Sequence, residues 1–449
     1  MRAPPAAARR RLQQLRYAHS TADPHFPSSS SSAPSCSPAA LAANLTLPPF
    51  ARSRWRAMAG GSGAKKRTRR GPNPAALLTD DLLVEILARV PYRSLCRFRC
   101  VSTRWRALID HPGHRARLPQ TLAGFLYGTG CARYGFANVS GAEPPLINAS
   151  FSFLPDRERE HLMLVDCCNG LVLCRSYRYD DDDDEFDYLV LNPTTEKWVA
   201  VPVRRRWTNR VQTVRLGFDP AVCPHFYPFE FQSNFDDNDD EYGDGEGDGT
   251  VLGVKIYSSA TGDWIHKQSG WTMSILLEMD FRSVFLDGVM YVITNDCVVG
   301  AVDVDGETWR VIDFPRSKDS PFYNTSLGFI DQSQRRLHLA NADDVVGDKL
   351  VIYVLEDKDG EEWTLKHTVS FWHLVGRKKV DFGFPKFIVA AIHPDRNMVF
   401  FVFGHKKTLM SYDMDSGKVC IIRSLGHCES EHFLPYVPFL SKTLPDDGN

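Results

Sequence analysis

Residues 162–176 read LMLVDCCNGLVLCRS, and residues 187–202 read DYLVLNPTTEKWVAVP. The first segment predicts a tight β-hairpin, because two apolar runs flank Asn169-Gly170, a dipeptide that favours a two-residue turn. The second predicts a strand, a turn that begins at Asn192-Pro193, and another strand near Trp198. Together they predict four short antiparallel strands, and this unit decides the fold of most of the chain.

The unit recurs four more times toward the C-terminus, where the position of Trp198 is taken by Trp264, Trp309, Trp363 and Val419. The successive intervals are 66, 45, 54 and 56 residues, near the period of propeller blades, and inserted loops explain the longer ones. A four-stranded blade cannot bury both faces alone. We therefore expect the blades to pack radially, with each Trp filling a gap between two blades.

This all-β region is expected to form a propeller of about six blades. Three segments are expected to supply the blade that joins the two ends: residues 124–128 (GFLYG), 150–154 (SFSFL) and 436–440 (YVPFL). Radial closure also removes long exposed sheet edges. A β-sandwich with decorated strands is the alternative.

Before the repeats, residues 78–118 read LTDDLLVEILARVPYRSLCRFRCVSTRWRALIDHPGHRARL, with helical spacing. The first helix carries an apolar stripe at Leu82, Leu83, Ile86, Leu87 and Val90. Thr79 or Asp80 is expected to cap it, and Pro91 to end it.

Ser94 and Ser102 are expected to cap two further short helices. Three short helices in about forty residues bury little surface, so a domain of this size gains stability from association. An exposed apolar face on it is therefore expected to have a partner.

Residues 78–109 match the F-box pattern LPxDLLxEILxRLPxkSLxRFRxVSKxWRxLI nearly position for position, and the chain resembles a plant F-box protein. The resemblance implies that this module binds a Skp-type adaptor and, through it, the cullin and RING subunits of an SCF-type E3 ubiquitin ligase, while the rest of the chain selects a protein target. By motif position, the implied adaptor-binding residues are Leu78, Leu82, Leu83, Ile86, Leu87, Pro91, Leu95, Val101 and Trp105. Thr79 replaces the usual proline and Thr103 the usual lysine.

The β-rich half resembles the F-box-associated, kelch-like β-propeller of the same proteins. Its most recognisable elements, CNGLxLC and NPxTxxWxxxP, stand at residues 168–174 and 192–202. The expected fold is thus α+β and multidomain. Its expected parts are a disordered basic tail (1–75), a three-helix F-box (76–118), an F-box-associated propeller (119–440) and a C-terminal tail (441–449).

Charge is distributed unevenly along the 449 residues. Residues 1–75 hold 13 Lys and Arg against one acid, which gives +12 and leaves −14 for the remainder of a chain with net charge −2. Apolar runs are interrupted well before ~18 residues, so no transmembrane helix is expected. The 11 cysteines have no repeating spacing, which favours reduced thiols and a place in the nucleus and/or cytoplasm.

The tail is rich in Ala, Pro, Ser and Arg and is expected to be disordered. Its Arg-rich, acid-poor start also fits an organelle transit peptide. Met58 is an alternative functional start. Residues 65–70, KKRTRR, are either a nuclear-import patch or a solvated linker.

Two acidic runs, residues 180–187 and 236–248, interrupt the repeats. They are interpreted first as solvated loops; the functional alternatives are attraction of a basic substrate and tethering of the basic tail. Calcium binding is not expected, because no helices flank the second run and the terminal bidentate Glu is missing.

No catalytic residue, cofactor or metal site is expected. The chain lacks the G-x-S-x-G, H-E-x-x-H, Walker and Rossmann motifs, and the spacing of Cys420, His427, Cys428 and His432 departs from usual zinc pairs. One alternative is a propeller enzyme or carbohydrate-binding protein with an incidental helical cap, which predicts a polar central pocket with perturbed acids. Nucleic-acid binding through the tail is another, opposed by the −14 of the body.

Overall fold

The computed structural model describes residues 78–439 with gaps at 91, 112–113, 115–116, 119–121, 131–132, 142–143, 179–184, 203–204, 207–212, 235–247, 278–281, 295–296, 316–327, 343–347, 358–359, 379, 381–386 and 427–432. The basic tail, the C-terminal tail and most of both acidic runs lie outside the described residues, as do Pro91, His427, Cys428 and His432. Among the described residues, no helix has the length and apolar character needed to cross a membrane.

Three short helices open the described chain: α1 (Asp80–Ala88), α2 (Tyr92–Phe98) and α3 (Thr103–Asp110). Thr79 caps α1 as predicted, since its hydroxyl accepts a long hydrogen bond of 3.5 Å from Leu82 N. The predicted cap at Ser94 is wrong. Helix α2 begins two residues earlier, directly after a proline in the sequence, and proline favours a helix start. Ser102 holds the N-cap position of α3 but makes no side-chain capping bond.

The helices enclose a small core of their own, made by Leu83, Val84, Leu87, Leu95, Leu108, Ile109 and Leu118. Arg104 ties the start of α3 to the start of α1, because its guanidinium donates to Asp80 Oδ1 at 2.9 Å and to Leu78 O at 2.7 Å. None of the core clusters in the described chain mixes these side chains with those of the β-region.

The β-region consists of six antiparallel sheets, numbered here as blades. Blade 6 contains β1 (Gly124–Gly130), β2 (Arg133–Asn138) and β24 (Phe433–Tyr436). Blade 1 contains β3 (Leu162–Cys168), β4 (Leu171–Arg178), β5 (Glu185–Asn192) and β6 (Lys197–Ala200), and β7 (Arg205–Arg206) pairs with β5. Blade 2 contains β8 (Thr213–Phe218), β9 (Phe226–Ser233), β10 (Val251–Ser258) and β11 (Asp263–Gln268).

Blades 3 to 5 repeat the same four-stranded order. Blade 3 contains β12 (Ser283–Leu286), β13 (Val289–Ile293), β14 (Val298–Asp303) and β15 (Trp309–Asp313). Blade 4 contains β16 (Phe329–Ser333), β17 (Arg336–Ala342), β18 (Lys349–Leu355) and β19 (Trp363–Ser370). Blade 5 contains β20 (Phe387–Ile392), β21 (Met398–Phe403), β22 (Thr408–Asp413) and β23 (Lys418–Ser424). Two short helices lie in connections, α4 (Asp156–Arg159) before β3 and α5 (Phe371–Val375) after β19.

The innermost strand of each blade faces a central channel, and these inner strands neighbour one another in a ring: β24, β3, β8, β12, β16, β20 and again β24. The two ends of the chain meet in blade 6, where β24 pairs with β1 in the register Tyr127↔Phe433 to Gly124↔Tyr436. The structure is therefore a six-bladed β-propeller that follows a three-helix module, as predicted.

The propeller core lies between the blades. Among the described residues, one apolar cluster occupies each of the six gaps. The predicted gap-filling positions all lie on the outermost strand of a blade and pack into the cluster shared with the preceding blade: Trp198, Trp264, Trp309, Trp363 and Val419. Two of the indoles also bond across the gap. Trp264 Nε1 donates to Pro202 O at 3.3 Å, and Trp363 Nε1 donates to Asp313 O at 2.9 Å.

The closing blade differs from the prediction at residues 150–154, the second of its three predicted segments. Residues 150–154 form turns instead of a strand, since Phe151 has a positive φ of 48° and Pro155 follows. Phe151 and Leu154 still fill the gap between blades 6 and 1, where a fourth strand is absent from the described chain. Of residues 436–440, only Tyr436 belongs to β24.

Candidate functional site

The predicted docking residues of the helical module divide into two groups. Leu83, Leu87 and Leu95 are buried in its core, and Leu78 and Trp105 are half-buried against it. Pro91 lies outside the described residues.

The remaining three residues, Leu82, Ile86 and Val101, are exposed to 52%, 45% and 70%. Leu82 and Ile86 are four positions apart on α1, so they share one face of that helix. On α1 the apolar stripe is therefore split: Leu83 and Leu87 hold the module together, whereas Leu82 and Ile86 point their aliphatic surface outward. Large exposed aliphatic groups beside a core this small are typical of a surface that binds a partner.

Exposed ion pairs accompany the apolar side chains of α1. Glu85 accepts from Arg89 one turn later, at 3.0 Å, and from Arg117 beyond α3. These pairs are well exposed, so each contributes little to stability. Glu85 lies on the same helix as Leu82 and Ile86, and Arg89 directly follows that helix, so this pair supplies charges beside that apolar surface.

The second candidate is the central channel of the propeller, which encloses a cavity of about 40 Å³. Its polar lining comes from inner strands and their ends: Asp166, Cys167, Asn169, Arg282, Asp331 and Gln332. A polar central pocket is what the enzyme or carbohydrate-binding alternative predicts. The hydrogen-bond and ion-pair partners of these lining side chains therefore decide whether the pocket has a structural or a ligand-binding role.

Arg282 directly precedes β12 and crosses the channel between two acids. Its Nη2 lies 3.5 Å from Asp331 Oδ1 on β16, and its Nη1 lies 4.0 Å from Asp166 Oδ1 on β3. Its side chain is only 16% exposed. One guanidinium thus connects blades 1, 3 and 4 through the centre of the ring.

Both acids also hold the neighbouring inner strand. Asp166 accepts from Leu216 N of β8 at 2.8 Å and from its own neighbour Cys167 N at 2.8 Å. Asp331 accepts in the same way from Ile392 N of β20 at 3.0 Å. Each carboxylate therefore joins its blade to the next one, and these bonds account for the burial of two acids.

Burial raises the pKa of Asp331, although Arg282 and two backbone N–H groups oppose the shift. Burial alone lowers the pKa of Arg282, but the nearby Asp331 and Asp166 outweigh it and raise that pKa. The channel thus contains a perturbed acid, as the enzyme alternative predicts. Both oxygens of that acid are nevertheless engaged by the protein itself.

The channel thiols are poor nucleophiles. Burial raises the pKa of Cys167 to about 12 and raises that of Cys168 well above the ordinary value. The reactive form of a cysteine is the thiolate, which is scarce at neutral pH when the pKa is this high. Among the described residues, no group of three or more His, Cys, Asp or Glu side chains is arranged to hold a metal ion.

The ion pairs that Arg282 makes with Asp166 and Asp331 were not predicted from the sequence. The sequence signal for them is a single acid inside an inner strand, Asp166 in LMLVDCC and Asp331 in FIDQS. A buried acid is rarely found without a partner. Its arginine, however, is far away in sequence.

Comparison with known families decides what the two halves are. The F-box domain model matches residues 76–116, and the model described as "F-box protein At3g26010-like, beta-propeller" matches residues 129–434, more than half of the chain. The chain belongs to the plant F-box proteins that carry this propeller.

Relatives of this F-box protein occur in Arabidopsis thaliana. F-box protein At5g07610 is 25% identical over 343 residues, which is 73% of this chain and 77% of the relative. F-box protein At2g15640 is 28% identical over 174 residues, 33% of this chain and 39% of the relative. F-box protein At1g52495 is 30% identical over 131 residues, 27% of this chain and 29% of the relative. The helical module with exposed Leu82, Ile86 and Val101 is thus an F-box.

Proposed function

We propose that this F-box protein is the substrate-recognition subunit of an SCF-type E3 ubiquitin ligase. The F-box docks a Skp-type adaptor, which connects it to the cullin and RING subunits, and the propeller binds a protein target. The chain contributes no catalytic residue. It promotes ubiquitin transfer by holding the target near the loaded enzyme, where proximity supplies the rate increase.

The observation that carries this proposal is the outward group on the F-box: Leu82, Ile86 and Val101 are exposed, while their apolar neighbours are buried. Complete burial of an aliphatic side chain of this size is worth about 1.5–3 kcal/mol, and covering the exposed half of Leu82 or Ile86 contributes about half of that to association. An adaptor that covers Leu82 and Ile86 together therefore loses several kcal/mol of binding free energy when both become charged.

The test is the affinity of the full-length chain for a purified Skp-type adaptor, measured by calorimetry. We expect Leu82→Asp combined with Ile86→Asp to weaken binding by at least about 100-fold. The matched control is Leu252→Asp on the propeller, because Leu252 is 54% exposed, close to the 52% of Leu82. Equal affinities for the double variant and the control contradict the proposal.

The channel supports a non-catalytic role. Asp166 and Asp331 are bonded to Arg282 and to backbone N–H groups of neighbouring strands, so a structural task explains both. The alternative of a propeller enzyme or carbohydrate-binding protein rests on the same acids, and each of their oxygens already accepts a hydrogen bond from the protein.

The proposal also places the chain in the nucleus and/or cytoplasm. Cysteines whose side chains are described are free thiols, for example Cys167 and Cys174 in the core of blade 1, as in a reducing compartment. Microscopy of the full-length chain with a C-terminal fluorescent tag tests this. A signal confined to plastids or mitochondria contradicts it and supports the transit-peptide alternative.

A further inference from the structure

The described chain continues past β24, and its last three residues cross blade 1. Strand β24 ends at Tyr436, whose carbonyl accepts from Ala123 N at 2.9 Å. Residues 437–439 then pass over the turn that joins β3 to β4. An added Cβ on Gly170 in that turn would lie 2.6 Å from the Cβ of Phe439. Since Gly170 also has a positive φ of 92°, both the turn and the crossing chain require glycine here.

The crossing segment is held by polar contacts from the other turn at the same end of blade 1. Asn192 Nδ2 donates to Phe439 O at 3.0 Å. Thr194 contacts the Tyr436 hydroxyl through its backbone N at 3.2 Å and through its Oγ1 at 2.8 Å. Both contacts bind residues near the C-terminus to a turn more than 240 positions earlier.

The segment ends in an apolar anchor. Phe439 is buried in the cluster between blades 1 and 2, where its ring meets Phe218 edge to face at a centroid distance of 4.9 Å. An edge-to-face pair of this kind is favourable beyond its buried area. The C-terminal residues thus contact blade 6 through β24, blade 1 through Asn192 and Thr194, and blade 2 through Phe218.

These contacts explain the two most recognisable sequence elements of the propeller, which adaptor docking does not explain. Gly170 belongs to the CNGLVLC element, and Asn192 and Thr194 belong to NPTTEKW. One element leaves room for the crossing chain, and the other bonds to it.

We propose that residues 437–439 are a latch that closes the propeller ring, and that the turns at Asn169-Gly170 and Asn192-Pro193-Thr194 are its receptor. Strand β24 shares only four paired positions with β1, so strand pairing alone makes a short seam. The latch extends the attachment of this end of the chain from blade 6 to the gap between blades 1 and 2, where Phe439 is buried. This inference does not depend on the proposed ligase function.

The first test compares two shortened forms of the full chain. A chain that ends after residue 440 keeps the latch, and a chain that ends after residue 436 lacks it. We expect the first to melt like the intact protein and the second to melt at least about 5 °C lower. Hydrogen exchange should accelerate in β24 and β1 of the second chain, whereas β13 and β14 on the far side of the ring stay protected. Equal melting and equal exchange in both chains overturn the latch.

A second test keeps the full chain and applies even if the shorter form does not fold. Asn192→Ala and Phe439→Ala are combined in a double-mutant cycle, because side chains of one latch should not act additively. We expect Asn192→Ala to lower the melting temperature less when Phe439 is already Ala. The matched control is Asn341→Ala in blade 4, because Asn341 is also buried and its Oδ1 accepts from Ala342 N. Its effect on the melting temperature should be additive with that of Phe439→Ala. Additivity of Asn192→Ala with Phe439→Ala overturns the proposal.

Discussion

Arg282→Met is expected to lower the free energy of unfolding by about 3–5 kcal/mol at neutral pH, because it leaves two buried carboxylates without their cation. Asp166 and Asp331 keep their backbone hydrogen bonds in this variant, but the charge that crosses the channel between blades 1, 3 and 4 is gone. Urea unfolding followed by tryptophan fluorescence measures the loss. Arg335→Met is the matched control. Arg335 also bonds two acids, Asp219 and Asp287, but its side chain is 41% exposed, so we expect a loss of about 1 kcal/mol or less.

The loss of unfolding free energy caused by Arg282→Met should become smaller as the pH falls. Burial already raises the folded-state pKa of Asp331 above its unfolded value, and Arg282 limits that rise. Without Arg282 the folded-state pKa rises further, so the folded variant takes up a proton at a higher pH than the unfolded chain does. As the pH falls through that value, protonation of Asp331 removes its buried negative charge and stabilises the folded variant relative to the unfolded chain. Unfolding free energies of variant and wild type should therefore differ less at pH 5.5 than at pH 7.5; a difference that grows at pH 5.5 contradicts the assignment.

Leu87→Asp is expected to unfold the F-box and leave the propeller intact. Leu87 is 1% exposed in a core of seven buried residues, and a carboxylate placed there costs several kcal/mol unless it is neutralised. A domain this small has little stability to lose. We expect loss of protection in α1 to α3 by hydrogen exchange and loss of adaptor binding, with an unchanged melting transition of the propeller.

The control for Leu87→Asp is the preceding residue of the helix. Ile86→Asp places the same charge at a position that is 45% exposed, so α1 to α3 should keep their protection while adaptor binding weakens. A propeller transition that shifts with Leu87→Asp would show that the two parts unfold as one unit. An F-box that tolerates Leu87→Asp would contradict the division of the α1 stripe into a buried and an exposed group.

The parts of the fold that sequence reasoning predicted are those with local signals. The α1 stripe follows from helical spacing within a few residues, and the strand pairs follow from turns such as Asn169-Gly170, where both residues have positive φ. The outermost strands of four blades were marked by Trp198, Trp264, Trp309 and Trp363, because a large aromatic residue at this position fills the gap to the preceding blade.

The rest of the fold and site was not predictable because it joins residues far apart in sequence. Residues 150–154 have the composition of a strand but fill a gap between blades with turns, which depends on the neighbouring blade. Arg282 meets Asp166 only when the ring is closed. The F-box motif predicted a single set of docking positions, and only packing distinguishes exposed Ile86 from buried Leu87 within that set.

The strand that completes the ring, β24, is made of residues 433–436 of 449, whereas the F-box core ends at Leu118. A ribosome adds roughly 5–20 residues per second, so the F-box emerges on the order of tens of seconds before the ring has its last strand. During that interval a nascent chain has a complete F-box and an unfinished propeller. An adaptor that binds the F-box, as we propose, therefore has an opportunity to assemble with the chain during translation, before closure of the ring that we propose to hold the target.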